Sequence, residues 1–381
     1  MIDGNLIALA SWQPLALRAA LAAAVSMAIA LILGTTLIRV LGRYLPERIV
    51  SDSPTLTRLH QHKAATPTMG GLFVVAAILL AMSLLGDWSR SPLSAVLVLM
   101  VGLTAVGACD DLLKLRSGKG LRSKGKLIAQ TVVAAVAVSM AYSAQPGTPS
   151  ASQLFLPGMG VVELGLGVIP LGVLVVVASS NAVNLTDGLD GLASGCLTFS
   201  FAAIGAVCYL AGDVNLAAIC GVLHVPAARE MTLVCGAAVG AVLGFLWYNR
   251  HPARVFLGDT GSLPLGGLLG LLAVIARQEL LLVVIAGVFV AEASSVILQV
   301  GYYKLRQQRI LLCAPLHHHF QFLRWPEAKI VSRFWMAAAL CAVVGLAALG
   351  LGTRNTRQVV EAVGEHTPNN LTYSYVGAVN R

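Results

Sequence analysis

The sequence predicts an all-α, polytopic integral membrane protein of about ten transmembrane helices, with an active-site cleft on the cytoplasmic face. Three observations carry this. Of 381 residues, 57% are hydrophobic and only 11% charged. Soluble globular domains carry about 25% charged residues, so too little polar surface exists to cover a water-soluble particle. The apolar residues also come in long blocks, each near the roughly 20 residues that cross a bilayer core. The few acidic residues crowd at the ends of those blocks.

In order, the expected spans are 16–41, 69–86, 92–109, 127–144, 167–184, 192–211, 232–248, 263–277, 280–303 and 334–353. The first follows a short, weakly charged N-terminus and is too long for a signal-peptide core. Span 263–277 is short, and span 280–303 is long and contains Glu292. Segment 145–166 is rich in Gly, Pro and Ser, lacks Lys and Arg, and reads as an external turn or short hairpin. The seven cysteines show no paired metal spacing and read as small packing residues. Residues 1–353 form a single transmembrane catalytic domain on this reading, and 354–381 a polar, loosely ordered periplasmic tail.

Ten spans put both termini on one side. Most of the 26 lysines and arginines then fall in the odd-numbered loops, and only Arg18, Arg90, Arg229, Arg277, Arg354, Arg357 and Arg381 fall on the other side. Positive charge stays cytoplasmic, so the odd loops are expected inside and both termini outside. Topology and contact with anionic headgroups account for the net charge of +9 without any nucleic-acid partner.

Only 17 residues are acidic, yet three expected cytoplasmic stretches carry Asp110 and Asp111, Asp187 and Asp190, and Asp259. A carboxylate costs roughly 2.5–3.5 kcal/mol at the centre of a span and less toward the interface. One such group is an ordinary helix cap, but three clusters on one face ask for a ligand. In AVGACDDLLKLRSGKGLRSKGK, adjacent aspartates point about 100° apart on a helix and cannot present to one ligand as a simple pair. Lys114 lies one turn on, and the basic loop through Lys126 suits phosphate as well as topology. In SSNAVNLTDGLDGLASG, Asp187 and Asp190 share one face of a helical turn, with Asn184 and Thr186 adding hydrogen-bonding groups. In FLWYNRHPARVFLGDTGSLPLGG, Asp259 precedes a helix start, where backbone N–H groups attract phosphate, and Asn249 ends the preceding span. Three consecutive histidines in LLCAPLHHHFQFLRWPE suit hydrogen bonding to a phosphate or acidic substrate better than a transition-metal site, since no ordered Cys/His set accompanies them. Hard carboxylate oxygens suit magnesium better than zinc.

Together and in this order, DDLLK, NAVNLTDGLDGLA, GDTGSLPLGG and PLHHHFQ closely resemble the phospho-N-acetylmuramoyl-pentapeptide transferases, within the polyprenyl-phosphate N-acetylhexosamine-1-phosphate transferases. HKAATPTMGG and FVAEASSVILQVGYYKLRQQRI fit as well, and the resemblance runs from about residue 40 to residue 350. It implies attack of undecaprenyl phosphate on the β-phosphate of UDP-N-acetylmuramoyl-pentapeptide, releasing UMP and forming lipid I at the bacterial inner membrane. It also implies a magnesium requirement and a homodimer. By the same resemblance, Asp259 is the principal magnesium ligand, with Asp110 and Asp111 as further ligands, and Asp110 is the base, with Asp111 beside it. Lys63, Lys114 and Lys126 contact phosphate. Asn184, Asp187, Gly188, Leu189, Asp190, Asn249 and Phe256 surround the uridine and diphosphate. Gln299, His317, His318 and His319 contact substrate, with His317 and His318 serving activity.

Two other readings compete with this one. A sister transferase would move N-acetylglucosamine-1-phosphate to the same lipid, and the histidine run followed by FQFLRWPE favours the muramoyl-pentapeptide instead. A transporter would place acids near mid-bilayer, where only Glu292 lies.

Overall fold

The computed structural model describes residues 15–44, 66–89, 92–145, 148–156 and 160–364. Among them run thirteen α-helices: α1 (Leu15–Tyr44), α2 (Gly71–Leu85), α3 (Leu93–Ser117), α4 (Ser123–Ser143), α5 (Val168–Thr186), α6 (Leu192–Ala211), α7 (Val214–Cys220), α8 (Ala228–Asn249), α9 (Asp259–Ile275), α10 (Glu279–Ile285), α11 (Gly287–Arg306), α12 (Leu316–Phe322) and α13 (Glu327–Gly364). Nine of the ten expected spans each fall on one helix, and 280–303 falls across two. Seven helices are long and apolar enough to cross a membrane by length and composition. The fold is therefore that of an all-α polytopic membrane protein.

Three spans depart from simple rods. At a rise of 1.5 Å per residue, α2 and α9, with 15 and 17 residues, fall short of the roughly 30 Å hydrocarbon core. Every residue of α9 is buried, so α9 is the axis around which the other helices pack, chiefly α3 and α5. The expected span 280–303 is broken. Ala286, at φ −91° and ψ 23°, interrupts the helix, and α10 and α11 meet at 87°. Glu292 sits on α11 just beyond this bend and is fully buried.

The sequence GAAVGAVLG sets Gly236, Gly240 and Gly244 four residues apart on α8, along one face. A Cβ on Gly236 or Gly240 would land on the carbonyl oxygens of Ala19 and Ala23 in α1, and one on Gly244 would come 2.9 Å from that of Met27. Small residues at this spacing let two membrane helices approach until their backbones touch. Arg18 locks the far end of the same contact through a bidentate pair with Glu230, at 2.9 and 3.1 Å. Gly240→Val should therefore force α1 off α8 and lower stability by about 1–3 kcal/mol. Thermal unfolding of the detergent-solubilised protein checks this, and an unchanged midpoint would contradict the contact.

Segment 145–166 contains a short antiparallel hairpin, β1 (Gln153–Leu156) with β2 (Gly160–Glu163), pairing Gln153 with Glu163 and Leu156 with Gly160. The hairpin tops a buried polar patch, where the Arg277 guanidinium donates to Ala151 O at 2.5 Å. All seven cysteines are free. The last helix continues past residue 353 to Gly364, and 365–381 lie outside the described residues.

Candidate active site

Four helix ends converge on one point. Helix α3 carries Asp110, Asp111 and Lys114 in its last turns, and stops at Gly118, whose φ of 73° closes the helix in the left-handed conformation. Helix α4 opens five residues later and presents Lys126 in its first turn. Asn184 comes from the last turn of α5, and Asp259 is the first residue of α9. Gly107 permits this approach. A Cβ there would land on the carbonyl of Asp259, so α3 and α9 touch backbone to backbone.

The adjacent aspartates diverge, and both still reach Asp259. One carboxylate oxygen from each of Asp110, Asp111 and Asp259 lies within 4.8 Å of the others, and all three residues are buried. Asp111 is engaged on both oxygens by the start of α9. Its Oδ1 accepts from Asp259 N at 3.2 Å, and its Oδ2 accepts from Thr260 N at 3.0 Å and Thr260 Oγ1 at 2.6 Å. These are orphan donors of a helix N-terminus, which favours a negative charge. Asp111 therefore acts as a cap supplied from a neighbouring helix. Gly258, at φ 70°, lets the chain turn past it. A Cβ there would come 2.7 Å from Asp111 Oδ2 in a backbone conformation that side chains resist.

Asp110 and Asp259 form the open pair. Asp110 Oδ1 accepts from Leu121 N at 2.7 Å, which pins the basic loop back onto α3. Asp110 Oδ2 and Asp259 Oδ2 share two ammonium groups. Lys114 Nζ is 2.6 Å from the first and 3.0 Å from the second, while Lys126 Nζ contacts Asp259 directly and lies 3.6 Å from Asp110. Asp259 Oδ1 accepts from Asn184 Nδ2 at 2.8 Å, and that amide also donates to Ser262 Oγ at 2.8 Å. Three carboxylates against two ammoniums leave an excess of acidic groups at the centre. Such a cluster of hard oxygens can hold a metal ion, and its two lysines can turn to phosphate.

The remaining expected residues divide into two groups. His317, on α12, lies against Gly188: a Cβ on that glycine would fall on the imidazole Nε2. His317 is itself held by Glu292, with its backbone N–H 3.1 Å from Oε1 and its Nδ1 3.2 Å from Oε2. His318 Nδ1 lies 2.8 Å from Gln321 Oε1. His319 Nδ1 accepts from Leu312 N at 3.2 Å. Gln299 accepts from Ile310 N and Leu311 N at 3.1 and 2.9 Å, so it fastens the loop that carries the histidines.

Asn249 and Asp190 tie the other side together. Asn249 Oδ1 accepts from Gly191 N and Ser194 Oγ, and its amide donates to Val255 O. Asp190 Oδ2 accepts from Ala253 N at 3.0 Å and faces His251 Nδ1 at 3.1 Å, while Asp190 N donates to Glu327. Phe256 pairs its backbone with Pro67 and Gly70. Leu189 is buried, and Asp187 and Gly188 are half-buried in the turn between α5 and α6. Lys63 lies outside the described residues.

Sequence reasoning passed over several of these participants. Thr260 and Ser262 stand in the GDTGS stretch that drew attention only for its aspartate. His251 and Glu327 are ordinary loop and helix-start residues until folding places them beside Asp190. Glu292 carried a signal, an acid deep in an apolar run, but its partner lies in a distant loop.

Residues 93–277 match Glycosyl transferase family 4, which covers the helices that supply Asp110, Lys126, Asn184 and Asp259. Fold and site thus define a membrane-embedded transferase. Over 318 residues, 81% of this chain and 85% of the relative, it is 44% identical to a phospho-N-acetylmuramoyl-pentapeptide-transferase of Solidesulfovibrio magneticus. A second relative so named, from Desulfosudis oleivorans, is 41% identical over 343 residues, 89% of this chain and 94% of its own. A third, from Thermodesulfovibrio yellowstonii, is 41% identical over 312 residues, 81% and 85% of the two chains. The chain belongs to the phospho-N-acetylmuramoyl-pentapeptide transferase family.

Proposed function

We propose that this protein transfers phospho-N-acetylmuramoyl-pentapeptide from its UDP conjugate to undecaprenyl phosphate, giving lipid I and UMP. Family membership supports the substrates. The observation that carries the chemistry is the shared hold of Lys114 and Lys126 on Asp110 and Asp259.

In phosphoryl transfer the protein mainly positions the reactants and neutralises charge. An oxygen of the lipid phosphate attacks the β-phosphorus, the bond to the α-phosphate oxygen breaks, and UMP leaves. Asp110, with one oxygen free of backbone ties, keeps that nucleophile deprotonated. Lys114 and Lys126 release the carboxylates and meet the diphosphate instead. The donor set fits magnesium: Asp259 and Asp110 would hold the ion, and Asp111 would fix them through α9. When bound, the ion supplies charge neutralisation at the diphosphate. Direct attack is preferred to a covalent aspartyl intermediate, because a phosphate monoester oxygen is already nucleophilic. Asn184, Asp187, Gly188, Leu189, Asp190, Asn249 and Phe256 would shape the nucleotide site, with the histidines, Gln299 and Lys63 at its rim.

The distribution of Lys and Arg supports a site on the cytoplasmic face of a bacterial inner membrane, with both termini outside. On this reading residues 1–353 are the catalytic unit and 354–381 an external tail. A homodimer rests on the family resemblance. Offering purified protein UDP-N-acetylmuramoyl-pentapeptide and UDP-N-acetylglucosamine side by side tests the substrate. Only the first should be consumed, and transfer of the N-acetylglucosamine phosphate alone would overturn this reading.

A further inference from the structure

We infer that Glu292 is a positioning residue of the nucleotide site, which sets the tautomer of His317 so that Nε2 is a hydrogen-bond acceptor aimed at the Gly188 turn. The inference rests on reading that turn as part of a nucleotide site.

The chemistry follows from two bonds. The His317 backbone N–H can only donate, and it occupies Glu292 Oε1 at 3.1 Å. The ring Nδ1 stands 3.2 Å from the second oxygen, Oε2. An ionised carboxylate offers acceptors only, so Nδ1 must carry the ring proton. In the neutral ring Nε2 then bears the lone pair. Glu292 is fully buried and His317 is 1% exposed, so no solvent competes for these bonds. Among the described residues Nε2 has no hydrogen-bond partner, and the missing side chain at Gly188 makes room for it. A buried, unpaired acceptor is costly. Here it faces the turn between Asp187 and Asp190, whose carboxylates can only accept when ionised. A nucleoside brings the donors that an acceptor at Nε2 would take, in its imide N–H and ribose hydroxyls.

Glu292→Gln separates tautomer control from packing. It is nearly isosteric and keeps both bonds. Its single carbonyl oxygen must serve the backbone N–H, which leaves the amide NH2 facing Nδ1. The ring proton then moves to Nε2, and the acceptor becomes a donor. The test uses the full chain in detergent, labelled with 15N-histidine, with UMP as the probe. In the parent protein the His317 signal, assigned by its loss in His317→Asn, should show a protonated Nδ1 and a bare Nε2. In Glu292→Gln the two should exchange. UMP affinity should fall about tenfold, the KM for the nucleotide substrate should rise in step, and kcat should stay within about twofold. Glu292→Asp, which keeps two acceptors, should recover most of the affinity.

A bare Nδ1 in the parent protein, or a ring protonated on both nitrogens, would overturn the inference, as would unchanged UMP affinity in Glu292→Gln. So would a variant in which kcat falls with the unfolding midpoint while KM stays fixed. Failure of the parent protein to bind UMP would instead sink the nucleotide reading of the turn, and the nitrogen signals would still judge what Glu292 does to His317.

Discussion

Asp259→Asn will lower the rate of lipid I formation by about three orders of magnitude, the scale on which removing a central charge-stabilising group acts, while leaving the fold intact. The two oxygens of Asp259 have different partners. Oδ1 takes the Asn184 amide at 2.8 Å, and Oδ2 faces Lys126 and, at 3.0 Å, Lys114. An asparagine keeps the shape and can keep the Asn184 bond. It loses the charge that balances both lysines and that would hold a divalent cation. Initial rates with purified enzyme, measured beside an unfolding midpoint, check this. Activity within tenfold of the parent would remove Asp259 from the centre of the site. A chelator should likewise silence the parent enzyme, and magnesium should restore it.

The adjacent aspartates should fail in different ways. Asp110→Asn removes the carboxylate that faces both lysines. It should cost about 100-fold or more in kcat and raise the magnesium concentration needed for half-maximal rate. Asp111→Asn leaves those lysine contacts in place and strikes the cap on α9, where three hydrogen bonds end. Bonds to a charged acceptor are worth about 1.5–3 kcal/mol each, and the amide keeps some of them. The expected result is a drop in the unfolding midpoint and a loss of 10–100-fold in rate, as for groups that orient a metal's ligands, with magnesium dependence unchanged. If Asp111→Asn moves the magnesium dependence and Asp110→Asn does not, the roles assigned to them are exchanged.

Seven of the ten expected spans coincide with helices long and apolar enough to cross a membrane, and they were legible because run length reads directly as a crossing; 69–86, 263–277 and 280–303 are the three that do not. The site was partly legible for a different reason: a carboxylate beside an apolar run is conspicuous whatever its partner. Partners were not legible. Nothing local says that Asp111 caps a helix starting at Asp259, because the two meet only after α3 and α9 pack through Gly107. The spacing of Gly236, Gly240 and Gly244 is visible in the sequence, but not that α1 is what it meets. The break at Ala286 was hidden inside a continuous apolar run. Span length alone gives no sign of an 87° bend, and only the fit of Gly287 against Cys341 and the pairing of Glu292 with His317 show what the bend accomplishes.

That pairing has a consequence for how the protein is made. A chain grows from its N-terminus, so Glu292 is synthesised 25 residues before the histidine that receives it. Until then its carboxylate has no designated partner, and settling it in lipid costs roughly 2.5–3.5 kcal/mol. The segment from α10 to α11 is therefore poorly suited to insert on its own merits. The Glu292 carboxylate meets its partner only when the loop that follows folds back onto it, so the loop carrying His317 serves the packing of this segment as well as the site. A chain halted before Leu316 would leave Glu292 without the histidine that receives it.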